Sequence, residues 1–105
     1  GGEALLRRGQ QRYDIFCGPC HGRVGDGRGI VWLRSQGGGV PNSYQYIQPT
    51  NLHDDRLKHV PDGQLFATIT NGIRNMPAYA AQIPVRDRWA IVSYVRALQL
   101  SGGAP

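Results

Sequence analysis

The stretch Cys17-Gly18-Pro19-Cys20-His21 decides how this chain folds. Two thiols separated by two residues, with a histidine directly after the second, are the pattern of c-type haem attachment. Each thiol adds to a vinyl group of the haem and becomes a thioether, while the histidine is held below the ring, where its nitrogen can bind iron. The motif therefore predicts one covalently bound haem with Cys17 and Cys20 as its attachment points.

Two other kinds of site share part of this pattern. A structural zinc site uses four ligands, usually with a second pair of cysteines or histidines, and Cys17 and Cys20 are the only cysteines of the chain. A thioredoxin-like dithiol has the same spacing, but it belongs to a chain of alternating strands and helices. The hydrophobic pattern shows no such alternation. The motif favours haem, with a redox dithiol and a zinc site as the alternatives.

The chain of 105 residues is expected to form a single domain, residues 1–105. Its 15 glycines and seven prolines predict many turns and loops, and a loop-rich chain of this size buries little apolar surface. Small domains of this kind usually need an additional group to hold them together, and a covalently bound haem would serve. No initiator methionine or signal peptide is present, so we expect a mature or trimmed chain.

The formal net charge is +5, from twelve basic and seven acidic residues. A positive surface favours acidic protein partners or anionic lipid headgroups, although ordinary solvated surfaces carry a similar charge. The arginines are scattered, without a run or a nucleic-acid-binding motif, so no nucleic-acid partner is expected. No run of about 18 apolar residues occurs, so no transmembrane span is expected in this chain.

Helical periodicity is clearest at the two ends of the chain. Residues 3–16 and 85–100 place apolar side chains at spacings of three and four, and residues 61–71 form a further helix that starts at Pro61 and ends before Gly72. Residues 53–59 predict a short helix, and residues 30–33 either one helical turn or an apolar contact. The last helix is expected to pack on the face of the first that holds Gly9 and Tyr13. Its predicted apolar face comprises Val85, Trp89, Val92, Val95 and Leu98, with Ile91 and Tyr94 beside it.

Two stretches, the first rich in glycine and the second mostly polar, are predicted to be loops. Glycines recur at short intervals in residues 22–29 (GRVGDGRG). This pattern disfavours a strand or a long helix and suits a tight loop against a flat cofactor. Residues 35–51 form a second loop. Aromatic N–H and O–H groups in or near this loop, or an arginine, can bond haem propionates, and the candidates are Trp32, Arg34, Tyr44 and Tyr46.

Met76 is the only methionine of the chain, and it lies in a predicted loop directly before Pro77. A methionine on a helix face is usually core filler, but packing has less need of one in a loop. Its thioether is a soft ligand suited to haem iron. The sequence therefore predicts Met76 as the second axial ligand, with His53 and His59 as the rival ligands.

Together these residues resemble a class I c-type cytochrome over nearly the whole chain. The resemblance rests on the Cys17–His21 motif, on Met76-Pro77, and on paired helix residues at the two ends: Gly9 and Tyr13 in the first helix, Ile91 and Tyr94 in the last. It implies an all-α fold, with the N- and C-terminal helices packed crosswise around one haem c. It also implies thioethers at Cys17 and Cys20 and axial ligation of the iron by His21 and Met76.

The resemblance is more specific in some segments and departs from the family in others. The runs GDGRG (25–29), PTNL (49–52), 62–80 and 88–98 resemble bacterial domains of membrane respiratory complexes, such as the monohaem subunit of alternative complex III. A single lysine, Lys58, does not reproduce the lysine-rich docking face of mitochondrial carriers. The proline whose carbonyl accepts the hydrogen bond of the ligand histidine stays open between Pro41 and Pro49.

With both axial positions filled by the chain, no position remains for oxygen or substrate, and methionine raises the reduction potential. We therefore expect a one-electron carrier rather than an enzyme, acting in a bacterial respiratory chain on the periplasmic side, with redox proteins as partners and an acidic docking surface on the partner. A soluble carrier and a fixed subunit of a membrane complex both fit. The alternative is a haem-based ligand sensor or peroxidase-like domain in which methionine leaves the iron.

Overall fold

Helices and loops make up nearly all of the described chain. The structure is a computed structural model and describes residues 2–36, 48–73 and 76–102. Within these ranges six helices follow one another: α1 (Gly2–Phe16), α2 (Gly18–His21), α3 (Ile30–Gln36), α4 (Asp55–His59), α5 (Asp62–Asn71) and α6 (Val85–Leu100). The only strand-like pairing in these ranges is an isolated bridge between Ile73 and Met76. The predicted all-α fold is confirmed.

The two terminal helices pack directly on each other, as the sequence predicts. A Cβ built on Gly9 would lie 2.1 Å from the carbonyl oxygen of Ala90 and 2.7 Å from its carbonyl carbon, so the two backbones meet where α1 has no side chain. One turn further on, the rings of Tyr13 and Tyr94 lie 5.3 Å apart. Gly9 and Tyr13 are therefore the contact face of α1, which accounts for a glycine in the middle of a helix.

The buried face of α6 is rotated from the predicted one. Val85 and Trp89 are 55% and 42% exposed, and the ring of Trp89 stacks instead on Phe66 of α5, with centroids 4.2 Å apart. The prediction was wrong for these two residues because contact with Gly9 turns Ala90 and its neighbours toward α1. The residues of α6 that are buried are Asp87, Arg88, Ala90, Ile91, Val92, Val95, Leu98 and Gln99.

The shorter helices differ from the predictions at their ends. Helix α4 starts at Asp55, where the Asp54 carboxylate accepts a hydrogen bond from the Arg56 backbone N–H. Helix α5 starts at Asp62, so Pro61 is its N-cap residue rather than its first helical one. Helix α3 continues to Gln36 and shortens the predicted loop. Gly72 ends α5 at φ 76°, as predicted, in a conformation that favours glycine.

Tyr13 connects the terminal-helix contact to the motif that follows α1. Its side chain is fully buried, and its hydroxyl donates a hydrogen bond to the Gly22 carbonyl at 2.7 Å. Burial in this apolar surrounding raises the pKa of Tyr13 far above its usual value, so the hydroxyl stays protonated and remains a donor. The packing of α1 on α6 therefore also fixes the residue that comes directly after His21.

Candidate functional site

The Cys17–His21 motif forms a single helical turn, which the sequence analysis did not predict. The backbone N–H of Cys20 and that of His21 both bond the Cys17 carbonyl, at 3.2 and 2.8 Å. Cys17 is buried at the end of α1, while Cys20 and His21 are half-buried. The turn keeps the two sulfurs and the imidazole within one short rigid element.

The surroundings of Cys17 are not those of a reactive thiol. The two cysteines form no disulfide with each other. Burial is the main cause that raises the pKa of Cys17 to about 12, with the neighbouring Cys20 adding to it. Redox-active dithiols instead hold one thiol at a lowered pKa, so that it is ionised and nucleophilic at neutral pH. The environment of Cys17 therefore disfavours the dithiol alternative.

His21 has one ring nitrogen engaged by the protein. Its Nδ1 lies 3.1 Å from the carbonyl oxygen of Thr50. Since a carbonyl can only accept, Nδ1 carries the hydrogen, and Nε2 is left with a free electron pair. Burial lowers the pKa of His21, although the Thr50 bond opposes this, and the ring is thus favoured in its neutral form. A neutral imidazole with a bonded Nδ1–H is the usual state of a metal-binding histidine.

Neither proline considered in the sequence analysis is the observed acceptor. Pro41 lies outside the described residues, and the bond to His21 comes from Thr50, the residue that follows Pro49. A backbone carbonyl leaves no mark in the side-chain sequence, so the acceptor cannot be read from residue types. Of the two candidate prolines, Pro49 is the one that directly precedes the acceptor.

A tight turn after α5 positions Met76. Ile73 and Met76 exchange two backbone hydrogen bonds, of 3.1 and 2.8 Å. A Cβ on Gly72 would lie 2.6 Å from the Met76 carbonyl oxygen, so the turn closes only around a glycine. The Tyr79 N–H bonds the Ile69 carbonyl at 2.9 Å and returns the chain to α5. Met76 therefore lies in a loop, as the sequence predicts, and is half-buried there.

Met76 and the motif share one apolar cluster. Cys17 belongs to the buried core, and Phe16, Met76 and Tyr79 are partly buried residues packed against that core. The rings of Phe16 and Tyr79 are 6.0 Å apart, edge to face. Burial raises the pKa of Tyr79, and both cysteines add to the shift; the tyrosine hydroxyl donates to the Phe16 carbonyl at 3.4 Å. The cluster joins the end of α1 to the methionine loop.

The two rival histidines contact backbone carbonyls. The His53 Nε2 lies 2.6 Å from the Val24 carbonyl oxygen, and the His59 Nδ1 lies 2.7 Å from that of Asp55 in its own helix. Within the ranges that the structure describes, no three His, Cys, Asp or Glu side chains are grouped closely enough to hold a metal ion. A zinc site of the usual four ligands is not assembled there.

The candidates for propionate contacts stay predictions. Trp32 is half-buried and Arg34 is exposed, both on α3. Tyr44 and Tyr46 lie outside the described residues.

Comparison with known families agrees with this geometry. A family model described as cytochrome c oxidase, cbb3-type, subunit III, matches residues 4–95 of the chain. The chain belongs to this family. Membership makes it a c-type cytochrome domain, with a covalently bound haem c, that carries electrons rather than catalysing a reaction. No curated protein sequence matches the chain.

The residues of the motif fit a covalent haem c. The sulfurs of Cys17 and Cys20 are not in a disulfide, and the His21 Nε2 has a free electron pair because Thr50 holds the other ring nitrogen. Met76 adds a thioether beside the same apolar cluster.

Cytochrome c domains of this type are typically extracytoplasmic. Among the described helices none has the length and apolar character to cross a membrane.

Proposed function

We propose that the chain transfers single electrons in a bacterial respiratory chain, through a haem c attached at Cys17 and Cys20 and bound axially by His21 and Met76. The observation that carries this proposal is the Nδ1–H bond from His21 to Thr50, at 3.1 Å, which prepares Nε2 as a ligand. The Met76 thioether, packed against the core that includes Cys17, supplies the second ligand.

This ligand set suits electron transfer and excludes substrate chemistry. The haem supplies an iron that changes between two oxidation states. His21 and Met76 would fill both axial positions, so that no site remains for oxygen or peroxide. Methionine favours the reduced iron, and the apolar cluster of Phe16, Met76 and Tyr79 disfavours additional charge, so both raise the reduction potential. Tyr79 packs against the same core, and its hydroxyl lies 3.4 Å from the Phe16 carbonyl oxygen, directly before Cys17.

We propose that the domain works as the cytochrome c subunit of a membrane respiratory complex on the periplasmic side. The family that it belongs to is named for subunit III of a cbb3-type cytochrome c oxidase. The net charge of +5 favours an acidic docking surface on the redox partner. Contact between such surfaces weakens with salt, which permits rapid exchange of partners.

Carbon monoxide binding tests the proposed ligand set against the sensor alternative. We expect the reduced holoprotein at neutral pH to show no spectral change under carbon monoxide, because Met76 occupies the position that the gas would need. Reduction by ascorbate should be rapid and complete, as for an iron of high potential. Tight carbon monoxide binding would contradict the carrier function and favour a sensor or peroxidase-like domain.

Fractionation of the native source cells tests the membership of a complex. A fixed subunit should remain with the membranes after osmotic shock and should co-purify with an oxidase or quinol-oxidising activity after solubilisation. Release of the haem-stained chain with the soluble periplasmic proteins would contradict the fixed subunit and leave a diffusing carrier.

A further inference from the structure

The Thr50 carbonyl that orients His21 lies in a segment with no regular secondary structure of its own. Residues 48–51 have no helix or strand assignment, and Thr50 is exposed. A peptide group in such a segment rotates freely unless contacts on both sides of it fix its direction. The bond of 3.1 Å to His21 therefore depends on what holds the segment in place.

We propose that His53 is a positioning residue, which keeps the Thr50 carbonyl on His21 by bonding the loop that follows His21. The His53 Nε2 lies 2.6 Å from the carbonyl oxygen of Val24 in that loop. Because the acceptor is a carbonyl, Nε2 carries the hydrogen and donates it. The inference rests on the axial role of His21 proposed above.

The contact between His53 and Val24 completes a series of hydrogen bonds that connects Thr50 back to His21 through the loop of residues 22–29. The loop of residues 22–29 returns to its own start, since Gly27 N–H bonds the His21 carbonyl at 2.7 Å and Gly25 N–H bonds the Gly22 carbonyl at 3.0 Å. The neighbouring Leu52 N–H bonds the Gly25 carbonyl at 2.7 Å. Residues 52 and 53 are thereby fixed to a loop that is itself fixed to the backbone of His21.

Thr50 is held on both sides along the chain. Three residues after it stands His53, whose own backbone N–H bonds the Asn51 side chain at 2.9 Å. Two residues before it, Gln48 Nε2 donates to the Gly27 carbonyl at 3.2 Å. A Cβ on Gly27 would lie 2.5 Å from the Pro49 carbonyl oxygen, so the loop touches the segment directly beside Thr50.

Of the two side chains that make these links, His53 has the stronger effect for a physical reason. Gln48 is exposed and its bond is the longer one, so water competes for both partners. His53 is half-buried, and the atoms of its bond are only 2.6 Å apart. Two bonds of Leu52 are common to every variant: its backbone N–H to the Gly25 carbonyl, and its carbonyl to the Gln99 side chain at 2.8 Å.

Three variants of the haem-loaded protein test the proposal. His53→Leu removes the donor, His53→Gln keeps a donor at a similar reach, and His59→Leu is the control, because His59 bonds a carbonyl of its own helix. The first measurement is the solvent exchange rate of the His21 ring N–H in the NMR spectrum of the reduced protein. The second is the midpoint potential. A merely structural role for His53 would lower thermal stability without moving either quantity.

We expect His53→Leu to speed exchange of the His21 N–H by about tenfold, the factor that corresponds to 1.4 kcal/mol. The midpoint potential should rise, because an imidazole whose N–H is less strongly bonded donates less electron density to the oxidised iron. His53→Gln should restore both values towards those of the unmodified protein, and His59→Leu should leave both unchanged. Exchange and potential that stay the same in His53→Leu would overturn the proposal.

One further variant and one further NMR signal separate failure of this proposal from failure of folding or of the proposed function. If His53→Leu does not fold with haem, His53→Asn replaces it, since its shorter amide cannot reach Val24 while it keeps the polarity of His53→Gln. Equal exchange rates in the Asn and Gln variants would then overturn the role of His53. The Met76 methyl signal, which the proposed ligation would shift strongly by the haem ring current, reports the ligand set separately. Its absence would contradict the proposed function rather than the role of His53.

Discussion

Replacing Met76 with leucine is expected to abolish the weak far-red absorption band of the oxidised protein, which depends on the bond between methionine sulfur and iron. Leucine has a similar volume, and a swap of this kind in packed surroundings usually costs less than about 1.5 kcal/mol. The fold should therefore survive while the thioether is lost. The midpoint potential should fall by a substantial part of the roughly 0.8 V range that axial ligands control, and the reduced iron should bind carbon monoxide.

A second variant at the same position separates the ligand from the packing. Met76→His offers an imidazole instead of a thioether, so the iron stays closed to carbon monoxide, while the potential still falls because methionine no longer favours the reduced form. Absorption spectroscopy and potentiometry of both variants measure the effect. A far-red band that survives in Met76→Leu would show that another group binds the iron.

Replacing Gly9 with alanine is expected to have the second large effect, on folding rather than on redox chemistry. The added Cβ would lie 2.1 Å from the Ala90 carbonyl oxygen and 3.0 Å from the Tyr94 Cβ. No rotamer change relieves a clash between a Cβ and backbone, so α1 and α6 must separate. Overpacking of this kind costs about 3 kcal/mol or more, a large part of the 5–15 kcal/mol that typically holds a domain together. Urea unfolding of the haem-loaded protein measures the loss.

Gly63 supplies a matched control for this substitution. It lies in α5, and a Cβ built on it meets nothing within 4 Å. Gly63→Ala should therefore stabilise the protein by about 0.4–1 kcal/mol, because alanine restricts the unfolded chain more than glycine does. If Gly9→Ala and Gly63→Ala changed the free energy of unfolding by similar amounts, the close contact of the terminal helices would not exist.

The sequence is sufficient to predict the parts of the fold that depend on side-chain type. Gly9 and Tyr13 pack on α6 as expected, because a glycine and an aromatic residue one turn apart mark a close helix contact. Met76 lies in a loop, as its position before Pro77 indicates. In both cases the residue type itself carries the structural information.

Residue types are insufficient to predict a contact made by a backbone group. They are also insufficient where the rotation of one helix against another decides which residues are buried. Thr50 acts through its carbonyl, which every residue has, so no residue type identifies it. Val85 and Trp89 share the helical periodicity of the apolar face of α6, but the rotation of α6 is set by the contact between Gly9 and Ala90. His53 looks like a surface histidine in sequence, and its contact with Val24, on which the proposed positioning role rests, exists only in the folded chain.

Mass spectrometry of tryptic peptides from the native protein tests the central proposal most directly. Cleavage after Arg12 and Arg23 releases residues 13–23, which contain both cysteines and His21. We predict that this peptide carries the mass of one haem, with Cys17 and Cys20 both unavailable to thiol reagents. A peptide of unmodified mass whose two thiols react freely would contradict the attachment of haem at this motif, and with it the proposed ligands and function.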